Sequence, residues 1–90
     1  MKTEPPRRRY VEDVKQILER IKGQPGLASR LADDADIINE VGLDSLEMME
    51  FMLEVESRLG LQINFERMSF DLVQSIEKFA SFLSSMKTRE

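Results

Sequence analysis

Apolar residues recur at helical spacing near the start of the chain, where Tyr10, Val11, Val14, Ile17, Leu18 and Ile21 follow the i, i+3, i+4, i+7 pattern of a one-sided helix. Gly23, Pro25 and Gly26 end that helix. A long connection then runs from about Gly23 to Asp44, and its Leu27, Leu31, Ile37, Ile38 and Val41 fit neither the helical nor the strand period. These five read as anchors pinning a loop onto helices. The connection exceeds the roughly 2–8 residues usual between helices, so it is either functional or holds a short helical turn of its own.

A second helix is predicted from Ser45 or Leu46 to Leu59, with Gly60 placed to supply a left-handed cap. Leu61 and Ile63 lead the chain back to the core, and Phe65, Met68 and Phe70 suit a short third helical turn. The last helix is expected to begin near Asp71, capped by that side chain while Gln74 reaches back as in a capping box. Its apolar stripe is Leu72 or Val73, Ile76, Phe79, Ala80, Leu83 and Met86. No strand, repeat or low-complexity segment stands out. The expected fold class is all-α: a small four-helix bundle, with three main helices plus a short third helix and a long loop between helices one and two. Residues 1–9 are expected to form a flexible basic tail, 10–86 the domain and 87–90 a C-terminal tail.

The second helix carries two apolar faces. Stepping about 100° per residue from Leu46, Met48, Phe51, Met52, Val55 and Leu59 share one arc, which reads as the core face. Leu46, Met49 and Leu53 gather on the opposite side, with Glu47, Glu50 and Glu54 along one edge and Glu56 along the other. One small core does not easily bury both arcs. An apolar strip rimmed by acids has the anatomy of a docking surface for basic partners; the alternative is that the packed loop covers Leu46 and Met49.

Charge sharpens this picture. The chain has 90 residues with a net charge of −4, room for one domain with a modest core. Lys2, Arg7, Arg8 and Arg9 sit at the start, so the body is more acidic than the whole. From Asp33 to Glu56 there are nine acids (Asp33, Asp34, Asp36, Glu40, Asp44, Glu47, Glu50, Glu54, Glu56) and no Lys or Arg, a block that repels itself unless something basic docks on it. Such a body disfavours nucleic acid. The sequence has no apolar run of membrane-spanning length and no secretory signal pattern, so a cytoplasmic monomer without membrane contact is the expectation.

Cys and His are absent. Their absence excludes disulfides, the usual zinc ligands and Cys/His or Ser/His catalytic pairs, so the chain is not expected to be an enzyme and any chemistry needs a borrowed reactive group. A calcium loop starting at Asp34 fails, because Ile38, Asn39 and Ser45 stand where an oxygen ligand, Gly and Glu are required.

Attention therefore falls on Val41-Gly42-Leu43-Asp44-Ser45-Leu46, which places a lone serine where a turn becomes the second helix. Ser45 admits two readings. It is an ordinary N-cap accepting a first-turn amide, or it is a site of covalent modification. An anion on Ser45 would lie at a helix N-terminus, which favours negative charge, and Gly42 would let another protein approach the backbone closely. A nucleophile in catalysis would need a base that this chain lacks.

The run Gly42-Leu43-Asp44-Ser45-Leu46, followed by an acidic helix closing with Leu59-Gly60-Leu61-Gln62-Ile63, resembles the acyl carrier protein family over roughly residues 10–86. The resemblance implies that Ser45 bears a covalent 4′-phosphopantetheine, transferred from coenzyme A by a phosphopantetheinyl transferase with magnesium. A cofactor thiol thereby supplies the missing cysteine, and acyl groups ride on it as thioesters. Asp44 matches the acid such transferases read beside the serine. Leu46, Met49, Glu50, Leu53 and Glu56 match the family's partner-facing helix, which Glu47 joins as a steering charge. Implied partners, besides the transferase, are acyl-loading, condensing and other acyl-processing enzymes with basic docking patches. Met48, Phe51, Met52 and Ile76 either line an acyl cavity or form tight core.

Ile63-Asn64 stands where the fatty-acid carriers often have Ile-Pro, and helix two is rich in Met. These departures bear on the pathway. The resemblance implies a free-standing acyl carrier of fatty acid, polyketide or related biosynthesis, with a peptidyl carrier of nonribosomal peptide synthesis as the alternative. An unmodified acidic helical adaptor is the rival from another class.

Overall fold

The computed structural model describes residues 6–88. Helix α1 spans Pro6–Lys22, starting a turn ahead of the expected Tyr10, so residues 6–9 of the expected tail are helical and residues 1–5 lie outside the described ones. Proline suits the first turn, where an amide hydrogen would have no partner in any case. Positive charge there opposes the helix dipole. Arg8 offsets this by bonding Glu12 one turn on and Asp33 across the loop, both at 2.7 Å. Val11, Val14, Ile17 and Leu18 of α1 are buried, with Tyr10 and Ile21 half-buried at its edges.

The connection after α1 is folded, not loose. Leu27–Arg30 form a single turn, α2, and Ile37–Val41 form a wide π-helical turn. The amides of Ile38 and Asn39 donate to the Asp36 carboxylate at 2.9 and 2.8 Å, while Gly42 leaves the turn at φ 82, where only glycine enters without strain. Leu31 and Ile37 are buried and Leu27, Ile38 and Val41 half-buried, so all five anchors pack on the core.

Helix α3 spans Ser45–Leu59 and ends on Gly60 at φ 66, the left-handed cap read from the sequence. Helix α4 spans Ile76–Ser84. It begins later than expected: Phe70–Gln74 is a 3₁₀ segment, Ser75 is extended, and the Ser75 hydroxyl accepts the Lys78 amide. Asp71 accepts from the Ser69 hydroxyl and caps nothing. The cause is tertiary. In a continuous helix the Ile76 amide would bond Leu72; here it donates to the Ala35 carbonyl at 3.0 Å, tying α4 to the loop. The expected third helix is likewise a short 3₁₀ turn, Phe65–Arg67. Leu61–Gln62 (β1) pairs antiparallel with Lys87–Thr88 (β2), a contact too short to leave a period in the sequence.

Helix α1 packs on α4, α2 and α3. Phe51 of α3 and Phe79 of α4, both fully buried, meet at 5.4 Å between ring centroids at the centre, each worth roughly 2–3 kcal/mol of burial. The architecture is the small all-α bundle expected, and no helix among the described residues is long and apolar enough to cross a membrane.

Candidate functional site

The site is built where the π-helical turn hands the chain to α3. Leu43 is buried and tacks the turn to the core, while Asp44 and Ser45 are exposed. Asp44, not Ser45, is the N-cap: its carboxylate accepts the Glu47 amide at 2.8 Å, and Glu47 Oε1 accepts the Asp44 amide at 3.1 Å, closing a capping box. The Asp44 to Glu47 spacing carries this signal in the sequence. Ser45 is thus the first helical residue, and its hydroxyl has no hydrogen-bond partner among the described residues. The N-cap reading of Ser45 fails because its neighbour already holds that position.

Beside the hydroxyl lies an open groove of about 340 Å³ lined by Ile38, Leu43, Asp44, Ser45 and Met48. Of the four side chains weighed as a cavity lining, Met48 faces this groove; Phe51 and Ile76 are fully buried and Met52 nearly so, as tight core requires. Ile38 and Leu43 join the groove from outside any periodic element, so spacing in the sequence does not mark them for it.

Along α3 the second apolar face stands in solvent. Leu46, Met49 and Leu53 are 66%, 62% and 60% exposed, so the loop does not cover them. Glu50 is exposed beside them. The other expected docking acids are engaged within the chain: Glu47 bonds Lys22 at 3.1 Å as well as the cap, and Glu56 accepts the Ile63 amide at 2.9 Å.

Cations of α1 also change the electrostatic picture. Asp33 is held by Lys15 at 2.6 Å and Arg8 at 2.7 Å, Glu54 by Arg20 at 3.1 Å and Glu47 by Lys22. For Asp33, Glu47 and Glu54, the something basic that docks on the acidic run is the first helix of the same chain. Arg8 and then Lys15, hydrogen-bonding its charged form, lower the Asp33 carboxyl to about 2. Amide and side-chain bonds from Asn39, then the Ile38 amide, hold Asp36 below its ordinary value.

A family model described as a phosphopantetheine attachment site matches residues 12–83. The chain belongs to that family. Its members carry a covalently attached 4′-phosphopantetheine prosthetic group, and the chain is accordingly a phosphopantetheine carrier. Comparison with curated proteins and with solved structures gives no match. The carrier's geometry fits such a group. An exposed, unbonded hydroxyl at the positive end of a 15-residue helix suits a phosphodiester anion, and the Ile38, Leu43 and Met48 walls of the groove suit a carbon stem.

Proposed function

We propose that Ser45 is the attachment serine and that this carrier holds acyl groups as thioesters, presenting them to enzymes of fatty acid, polyketide or related biosynthesis. The observation that carries this reading is the division of labour at the helix start. Asp44 and Glu47 satisfy the cap, so the Ser45 oxygen is spare for a bond to phosphorus. In the transferase that oxygen would displace the nucleotide half of coenzyme A, losing its proton as the ester forms, and the positive end of α3 would favour the phosphodiester charge. When bound, the group supplies the thiol that this sequence lacks. The carrier's own residues orient that arm and recognise partners, and reaction chemistry belongs to those partners.

Asp44 stands exposed beside Ser45 as a charge for the transferase to read. Leu46, Met49 and Leu53 supply apolar contact and Glu50 the free acidic edge, for enzymes with basic docking patches. Acyl cargo is favoured over peptidyl by the Asp-Ser-Leu run with its acidic neighbours, and by the apolar walls beside Ser45.

Intact mass after incubation with coenzyme A, magnesium and a broad-specificity transferase tests the proposal, with Ser45→Ala as control. The expected result is a gain of one phosphopantetheine that the variant loses. No gain in folded, initially unmodified protein would favour the unmodified adaptor.

A further inference from the structure

Lys22 is the last residue of α1, at the opening of the long connection, yet its ammonium reaches that connection's far end. Nζ donates to the Gly42 carbonyl at 3.1 Å and to Glu47 at 3.1 and 3.4 Å from its two carboxylate oxygens. The nearer oxygen also accepts the Asp44 amide. One ammonium therefore grips both ends of Gly42-Leu43-Asp44, the run that delivers the chain to Ser45. The side chains of Lys22 and Glu47 are only 18% and 26% exposed, so their attraction is less screened than that of a surface pair. Gly42 follows the π-helical turn in a left-handed conformation with open space around its Cα. Asp44 is held by its bonds with Glu47 and Met48, whereas the Gly42 end is held by this carbonyl contact and the burial of Leu43.

We propose that Lys22 is a positioning residue for the modification of Ser45: it closes the connection at its base and holds the Asp44–Glu47 cap without touching the incoming group. The inference rests on the Ser45 reading. Without the ammonium the Gly42 carbonyl turns to water and Glu47 has one tie fewer, so the first turn of α3 frays more often. The serine oxygen then spends less time where a transferase can use it, and the apparent rate falls with that fraction.

The test uses the full chain, with Lys22→Met keeping the apolar stem and Lys22→Arg keeping the charge. Hydrogen exchange at the Asp44 amide is followed by NMR, and initial rates of modification are measured against carrier concentration. Lys22→Met is expected to speed Asp44 exchange several-fold and to lower kcat/KM by roughly three- to tenfold, with the same final mass; Lys22→Arg recovers most of both. If Lys22→Met does not fold, Glu47→Gln serves instead, since its amide oxygen still accepts from Asp44 while the ion pair is lost, and smaller changes in the same directions are expected. Unchanged exchange, or faster exchange with unchanged kcat/KM, overturns the proposal. So does a lowered kcat/KM with unchanged exchange, which would put Lys22 in direct contact with the transferase. A wild-type chain that takes up no phosphopantetheine overturns the Ser45 reading instead, and is distinguishable because the exchange measurement needs no modification.

Discussion

Asp33→Ala is expected to destabilise this carrier far more than Lys15→Met, although each removes one partner of the same ion pair. The asymmetry follows from what is left behind. Lys15 has a side chain only 9% exposed and its one ion-pair partner among the described residues is Asp33, at 2.6 Å. Asp33 is 34% exposed and keeps Arg8 at 2.7 Å when Lys15 is gone. Breaking a buried pair by deleting one member typically costs about 3–5 kcal/mol, because a charge is stranded. Here the loop side is partly wet, so Asp33→Ala should cost roughly 2–3 kcal/mol. Lys15→Met strands nothing: the stem's volume is kept, the amine's desolvation is removed, and the net change should stay within about 1 kcal/mol. Urea unfolding at pH 7, followed by circular dichroism, reads both. Combining the changes should recover most of the Asp33→Ala loss, giving a coupling of about 2 kcal/mol. Equal costs for the two single variants, or strict additivity in the double, would refute the claim that the buried ammonium sets the energetics of this loop.

Acid should weaken the fold in a defined window. The Asp33 carboxyl is lowered from 3.8 to about 2 by Arg8 and Lys15, so its contribution is complete above the unfolded value and is lost as pH falls from about 4 through 2. Asp36, lowered by its Asn39 and Ile38 bonds, and Asp71, lowered first by the Ser69 hydroxyl, add in the same direction. Urea midpoints that stay level from pH 5 to 2 would contradict this, as would an equally steep fall in Lys15→Met. Met49→Asp, at a side chain 62% exposed, should change folding stability by no more than about 0.5 kcal/mol. It should still raise the transferase KM on the order of tenfold through lost apolar contact; an unaltered KM would remove Met49 from the docking strip.

Much of this architecture is legible in the sequence because it is periodic. The α1 stripe and both faces of α3 follow from spacing alone, and the exposure of Leu46, Met49 and Leu53 follows from a helix with more apolar surface than one core needs; the anchors of the connection fit neither period and are legible only as apolar residues in a long loop. What spacing does not carry is choice among competing local partners. Asp71 has the pattern of a cap, but the Ile76 amide finds the Ala35 carbonyl and the helix starts later. Lys22 and Glu47 meet across 25 positions, and nothing local marks them for each other. Phe70, which suits a short third helical turn by sequence, is 65% exposed, and Val73 is the buried residue of its segment. The candidate serine was readable from its neighbours; that its hydroxyl is spare emerges only when the cap is seen on Asp44.

The solvent-facing strip of α3 has a consequence for self-recognition. Two copies pairing symmetrically through it would share the same patch, bringing each exposed Glu50 towards an equally acidic counterpart, while Arg20 at that margin is already paired with Glu54. Three large apolar side chains would ordinarily invite such pairing; like charge along their margin opposes it. If the strip serves docking as proposed, its charged margin favours partners of opposite sign over a second copy of the carrier.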